Sequence, residues 1–307
     1  MRIFKLIGFS CLLLLLSALF ADEGHKILLI NSDASVEKYK VAQEEFKKSI
    51  SRPILEINLE EEKWNIQRVQ DFLYDEYPDL IYCIGTKAYL LAQKFVSERN
   101  IVFSSIINWQ RLPVTEKTYG VSNELHPGMQ MTMYRYVFPD VKRIGVLYSK
   151  SFNREWLRDA ARIAKDMGVE IVEKSVHRSK DTIDALKTLL PQIDALWLIS
   201  DPVVLSDKDV ITEVFKACDV NKKPIFSYLE AFVEYGAVLI VSVDDPTLGR
   251  QAADIARETL TGHMLAGKVQ LPEGSHVILN LEKVTHYGLQ YNESALGAVN
   301  QIIGQKP

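Results

Sequence analysis

The chain is poor in cysteine and carries no excess of either charge, and both shortages narrow what it can be. Three cysteines in 307 residues cannot build a disulfide scaffold. Lysine and arginine number 36 against 40 aspartates and glutamates, a net charge of −4. Such a surface offers no general attraction to nucleic acid or anionic lipid, so neither is an expected partner. No basic run, repeat array or low-complexity stretch occurs. The six histidines are scattered, with no pair at i, i+4 and no cluster of metal-ligand spacing, so no metal is expected. His126 and His177 read as surface or turn residues, and Glu60 to Glu62 as a solvated turn. The phosphate-loop glycine-lysine pattern, Gly-x-Gly-x-x-Gly after the first strand, and Gly-x-Ser-x-Gly are all missing. Nothing pairs a nucleophile with a base. No catalytic residue and no cofactor are expected, and the chain does not read as an enzyme.

The longest apolar run lies at the start. Arg2 and Lys5 precede Leu6 to Phe20, the small residues Ser17, Ala18 and Ala21 follow within or just after it, and the chain turns polar at Asp22. This is the order of a secretory signal, and the run is shorter than the roughly 20 apolar residues of a spanning helix. Residues 1–21 are therefore expected to be removed, leaving a periplasmic or secreted protein. Loss of Arg2 and Lys5 takes the net charge from −4 to −6. Cys11 leaves with the leader. Cys83 and Cys218 sit in apolar surroundings of what read as different lobes, and are expected to be buried thiols.

Beyond the leader, short apolar runs alternate with amphipathic stretches, the pattern of a parallel sheet covered by helices on both faces. Strands are expected at Lys26 to Asn31, Ile54 to Leu59, Leu80 to Ile84 and Ile101 to Ile106. They recur at Arg143 to Tyr148, Val169 to Lys174, Ala195 to Ser200 and Pro224 to Tyr228. The two sets also match locally: His25 to Ser32 parallels Lys142 to Ser149, Pro78 to Gly85 parallels Ile193 to Ser200, and Asn100 to Ser104 parallels Lys223 to Ser227. A single sheet has no reason to restart, so the expected class is α/β with two Rossmann-like lobes. Extended stretches at Thr118 to Glu124 and Ala237 to Asp244 flank the second set, which implies more than one crossing and a constrained hinge. Lobe 1 is expected to comprise 22–122 plus about 245–270, and lobe 2 to comprise 123–244 plus about 271–307.

Ligands of open α/β sheets bind beyond the carboxyl ends of the strands, and polar residues collect there: Ser32 and Asp33, Gly85 and Thr86, Ser104 and Ser105, Ser149, Asp201, Ser227 and Tyr228, and Asp244. Thr86 is expected to cap the helix that begins there and leave amide donors aimed at the cleft, suited to a carboxylate or phosphate. Asp201 is a candidate acceptor for a ligand cation, and Asp245 reads as an ordinary helix cap. A donor site on one lobe and a carboxylate on the other would suit a zwitterion such as an amino acid. Trp109 and Tyr228 are candidate pocket walls, Phe152 lies near the same loops, and Trp156 reads as packing.

Several of these residues carry a resemblance. Gly85-Thr86-Lys87-Ala88, Ile101-Val-Phe103, Tyr119-Gly-Val-Ser122, Phe138 to Tyr148, Lys223-Pro-Ile-Phe226, Leu248 to Ala252 and Val277 to Leu281 are together similar to the ABC-transporter substrate-binding family that includes bacterial tryptophan- and tyrosine-binding lipoproteins. The resemblance implies a type I periplasmic-binding-protein fold and delivery of a small molecule to a membrane permease and its ATPase, by a subunit acting as a monomer. It also implies ligand contacts at Thr86, Asp201 and the Tyr228 region. The chain departs from the family at Ile107-Asn108-Trp109, where a Thr-Asp-Pro-like stretch is usual, and at Ser200-Asp201-Pro202, where Thr-Asp-Asn is common. An alternative role on the same fold is a periplasmic sensor presenting its closed state to a receptor kinase.

Overall fold

The computed structural model describes residues 25–304 apart from 264 and 266; the expected leader over residues 1–21 lies outside them. The first half lays down strands β1 (Ile27–Asn31), β2 (Ile54–Asn58), β3 (Leu80–Ile84), β4 (Asn100–Ile106) and β5 (Thr118–Ser122). Helices α1 (Glu37–Ser49), α2 (Ile66–Glu76) and α3 (Thr86–Val96) connect them. After α4 (Pro127–Val137), the second half repeats the plan with β6 (Arg143–Tyr148), α5 (Lys150–Asp166), β7 (Glu170–Ser175), α6 (Thr182–Leu189), β8 (Ala195–Trp197), α7 (Lys208–Val220), β9 (Ile225–Ser227) and β10 (Leu239–Val243). The chain closes with α8 (Asp245–Thr261), β11 (Val269–Gln270), β12 (Ser275–Asn280), α9 (Leu281–Tyr287) and β13 (Gln301–Ile303).

There are two sheets, ordered β2-β1-β3-β4-β5-β11 and β7-β6-β8-β9-β10-β12-β13. Over the first five strands of each half the order is the same doubly wound one, so the repeated sequence pattern corresponds to a repeated topology. All residues of β1 and β3 are buried, as expected where helices cover both faces and strands become unbroken apolar runs. The chain passes between the sheets three times: after β5, after β10 and after β11. These passages make the hinge of multiple crossings; Leu125 of the first passage, with Val121, Val241 and Val243 of the strands the first two passages leave, is buried in one cluster with residues of both sheets.

Two features depart from the simple parallel pattern. β12 runs antiparallel to β10, pairing Val243 with Ser275 and Leu239 with Leu279. The third crossing returns the chain to the end from which β10 left, so the new strand must run the other way. β8 stops at Trp197 instead of reaching Ser200. Asp201 N–H bonds to Ile199 C=O at 2.8 Å, a tight three-residue turn that peels the chain off the ladder.

Cys83 lies in β3 and Cys218 in α7, both buried and free. Burial pushes both thiols up, Cys218 to about 12, which leaves them unreactive.

Helix α8 follows the second repeat yet packs on α1 of the first. Gly249 makes this possible: a Cβ there would stand 2.3 Å from the Ala42 carbonyl oxygen and 2.9 Å from Glu45 Cβ. Beside it Arg250 Nη1 bonds Glu45 Oε2 at 2.9 Å. Gly249→Ala must force the helices apart, and overpacking of this kind costs about 1–3 kcal/mol. A thermal melt should show the variant unfolding several degrees lower; an unchanged Tm would mean the contact is slack.

Candidate functional site

Beyond the carboxyl ends of both sheets lies a cavity of about 230 Å³. The β4–β5 loop supplies Asn108, Gln110 and Arg111, the first crossing supplies Asn123, Glu124 and Leu125, and α4 supplies Gln130. The second sheet's side supplies Phe152, Asn153, Glu155 and Trp156 from α5, and Ile199, Ser200 and Tyr228 from strand ends. Val241 and Val243 of β10 complete it. One cavity is thus walled at once by both lobes and by the first segment joining them.

The β4–β5 loop reaches this position through its backbone. Ser105 and Asn108 adopt left-handed conformations, φ +58° and +55°, and the β4–β5 register shifts between Phe103 and Ile106. A bulge and two non-glycine residues in this region re-aim a chain at some local cost. Here they throw the loop across the cleft. Asn108 Nδ2 then donates to Ser200 Oγ at 3.1 Å, and the Arg111 guanidinium lies 4.3 Å from the Phe152 ring centre, within cation–π range.

Asp201 corrects an expectation. It is 1 % exposed, and its two oxygens are consumed internally. Oδ2 accepts from Ser149 N at 2.6 Å, Ser149 Oγ at 2.9 Å and Asn153 Nδ2 at 2.7 Å. Oδ1 accepts from Val203 N and Val204 N at 2.9 and 3.0 Å. Five donors fill a carboxylate's capacity, so Asp201 and Ser149 fasten the loops after β6 and β8 to each other instead of facing a ligand cation. Ser32 has the equivalent place in the first sheet, and its Oγ accepts from Ala88 N at 3.0 Å.

Other expected residues also carry internal duties. Gly85, at φ +82°, is the residue that caps α3; Thr86 is the first helical residue and is exposed, so it does not cap as expected. Ser104 is buried with its Oγ 2.6 Å from the Tyr82 hydroxyl. Ser227 is fully buried, with its Oγ accepting from Leu229 N; Ser105 is 4 % exposed and its Oγ is left without a hydrogen-bond partner among the described residues. Asp244, not Asp245, caps α8 by accepting from Thr247 N at 3.0 Å. Asp33 bonds the Ser35 hydroxyl and amide, which hold its carboxyl below the usual range. Tyr228 does line the cavity, and burial pushes its phenol up to about 12. Trp109 lines an adjoining cavity of about 210 Å³ with Trp156 and Glu124. Sequence reasoning did not single out Asn108, Arg111, Glu124 or Asn153 as contacts, and read Trp156 as packing; it packs on Trp197 and faces the cavity as well.

Two carboxyls near the cleft depart from ordinary behaviour. Glu124 is raised by burial, against the opposing hydrogen bonds of Asn108 N, Gln110 and Ser122. Asp245 is pushed up to about 7 by burial and by the Glu230 carboxylate, with Lys38 opposing.

Residues 29–303 match the family described as ABC transporter substrate binding protein. A tyrosine-binding protein of Clostridioides difficile (strain R20291) is 24% identical over 234 residues, covering 73% of this chain and 67% of that protein. Among solved structures, an ABC domain in complex with L-Trp from Streptococcus pneumonia is 19% identical with a TM-score of 0.60, covering 91% of this chain and 100% of that one. The ligand-free, open structure of a substrate binding protein with adhesive properties from Clostridium difficile is 18% identical with a TM-score of 0.68, covering 91% and 99%. These likenesses agree on the two-lobed fold.

Removing the Asp201 carboxylate strands buried amides of Ser149, Val203 and Val204, at a cost of about 3 kcal/mol. Asp201→Ala should therefore melt markedly lower without any ligand present; a free-protein Tm equal to wild type would restore a ligand-facing role. Asp245 gives a pH signature. A carboxyl raised from the usual range to about 7 favours the protonated folded form, so its contribution is intact below about pH 4 and is lost as pH climbs through 7. Asp245→Asn should leave Tm unchanged near pH 4 and raise it by an amount that grows to pH 7 and then levels. Solvent screening limits the plateau to about 1 kcal/mol. Melts across this range check it; a gain largest in acid would contradict the assignment.

Proposed function

Because the chain belongs to the ABC transporter substrate binding protein family, whose members bind solutes outside the cytoplasm and are not enzymes, we propose that it captures a small, amino-acid-like molecule and presents it to an ABC importer. The observation that carries this reading is the cavity lined simultaneously by both lobes and by the first crossing segment. A solute bound there touches every part that must move for the lobes to close. Residues 22–122 with about 245–270 form one moving body, and 123–244 with about 271–307 the other. No helix among the described residues is long and apolar enough to cross a membrane. On this reading a signal sequence over residues 1–21 supplies export, and the permease and ATPase are separate subunits.

The wall chemistry supports the amino-acid-like class. Phe152, Trp156 and Tyr228 present ring surface to an apolar body, while Arg111 and Glu124 place opposite charges in the same cavity. Relatives described as binding tyrosine and L-Trp fit that combination.

Titration calorimetry with L-tyrosine, L-tryptophan and the remaining amino acids, with sugars and nucleosides alongside, tests the binding role. A true ligand at 100 times its Kd should add about 2.7 kcal/mol of stability and reduce the radius of gyration in solution scattering. No binder in any class, with scattering unchanged throughout, would remove the reading. Loss of uptake of the identified solute in cells lacking the gene tests the importer step; undiminished uptake would remove that part alone.

A further inference from the structure

We propose that Glu124 is the residue that selects the ligand's charge: its carboxylate, at the first crossing, receives a protonated amine of the bound molecule. This rests on the solute-binding reading above and specifies the ligand class within it. Assignment of Asp201 to internal duties leaves the cavity in need of another anion for such a group, and few candidates qualify.

The carboxylates within reach differ in what they already hold. Glu155 also lines the cavity, but it lies exposed on α5 and pairs with Arg158 one turn along. Asp245 and Glu230 sense each other's charge, yet neither lines this cavity. Glu124 does, and it lines the adjoining one with Trp109 and Trp156 as well. Its Oε1 accepts from Asn108 N at 2.7 Å, and its own amide donates to Ser122 Oγ at 3.2 Å. Backbone and side chain are therefore both held in place. The described residues give it neutral donors and no ion pair, and burial raises its carboxyl. A partly desolvated carboxylate with neutral partners is costly as an anion. An ammonium placed against it removes that cost while paying for its own desolvation, so the pair discriminates strongly against neutral and anionic solutes.

The position links selection to closure. Asn108, whose amide holds Glu124, donates from its side chain to Ser200 Oγ on the opposite lobe. An amine seated on Glu124 thus adds to a chain of contacts running from the crossing through the β4–β5 loop to the second sheet.

A functional-group cycle tests the proposal. Calorimetry on wild type and Glu124→Gln would compare each of L-tryptophan, L-tyrosine and L-phenylalanine with its decarboxylated amine and its deaminated acid, and lysine, arginine, sugars and nucleosides would complete the panel. Gln keeps the acceptor for Asn108 N and loses only the charge. In wild type the deaminated acid should bind roughly 10- to 100-fold more weakly than its parent, the value of a hydrogen bond to a charged group. In Glu124→Gln the parent should weaken by about the same factor and the difference between the two should largely vanish, because the cycle isolates the pair. A merely structural role for Glu124 would weaken both compounds equally and keep their ratio, which overturns the proposal. Should the variant misfold, the wild-type ratio still decides: a deaminated acid, sugar or nucleoside binding as well as any amine overturns it. That outcome leaves solute capture standing, whereas silence across every class overturns both.

Discussion

Everything in this molecule depends on two sheets presenting their carboxyl ends to one another while three strands of chain hold them at that distance. One crossing would let the lobes wander, and a fused sheet would leave no gap. Three crossings restrict relative motion to few directions, because each must absorb the same rotation. Leu125 of the first passage and the buried valines of β5 and β10, the strands that the first two passages leave, tie the passages into the same apolar cluster as both sheets. Placement of α8 on α1 then fixes the second crossing from the far side, with Gly249 allowing backbone-to-backbone approach.

Within this frame, buried carboxylates divide by what they touch. Asp201 has five donors and stabilises loop geometry. Glu124 has neutral partners too, but it faces a cavity and is raised by burial. The first is a finished network and the second an unfinished one. A finished network rigidifies the strand ends that shape the cleft, while an unfinished one waits for chemistry from outside. Two carboxylates that both act on Tyr228 thus serve opposite purposes, and only the partner list separates them.

That distinction marks how far the sequence could be read. The α/β plan written twice was legible because it rests on period: apolar runs such as Leu80 to Ile84, spaced by amphipathic helices, and the restart at Arg143. The stretches expected as crossings, Thr118 to Glu124 and Ala237 to Asp244, are instead mostly the fifth strands of the two sheets, and the passages leave from their ends. The short strands β11 and β13 carry too few residues for a pattern, and β12 takes its direction from a tertiary return. At the site, strand-end polarity correctly pointed to the cleft, but it could not tell a serine that faces a ligand from one that fastens a loop. Ser149 and Ser32 look alike in sequence to any contact residue. The cavity's polar walls come instead from residues one to five positions beyond the strand ends, Asn108 and Arg111 among them. They arrive there because Ser105 and Asn108 take left-handed backbone angles that no periodic pattern encodes.

The strained loop has an energetic consequence for closure. Its contacts with the second lobe, Asn108 to Ser200 and Arg111 over Phe152, bridge the lobes through protein alone. A ligand shifts the equilibrium only by its differential affinity for the closed form, since equal affinity for both forms shifts nothing. Protein-only bridges lower the free energy that the ligand must supply, but they also reduce how strictly closure reports occupancy. A neutral hydrogen bond and a cation–π contact of this kind are worth about 1 kcal/mol each, too little to hold two lobes shut alone. An ion pair formed inside the cavity is of the size that can tip such a balance, so closure and charge selection become two readings of the same interaction.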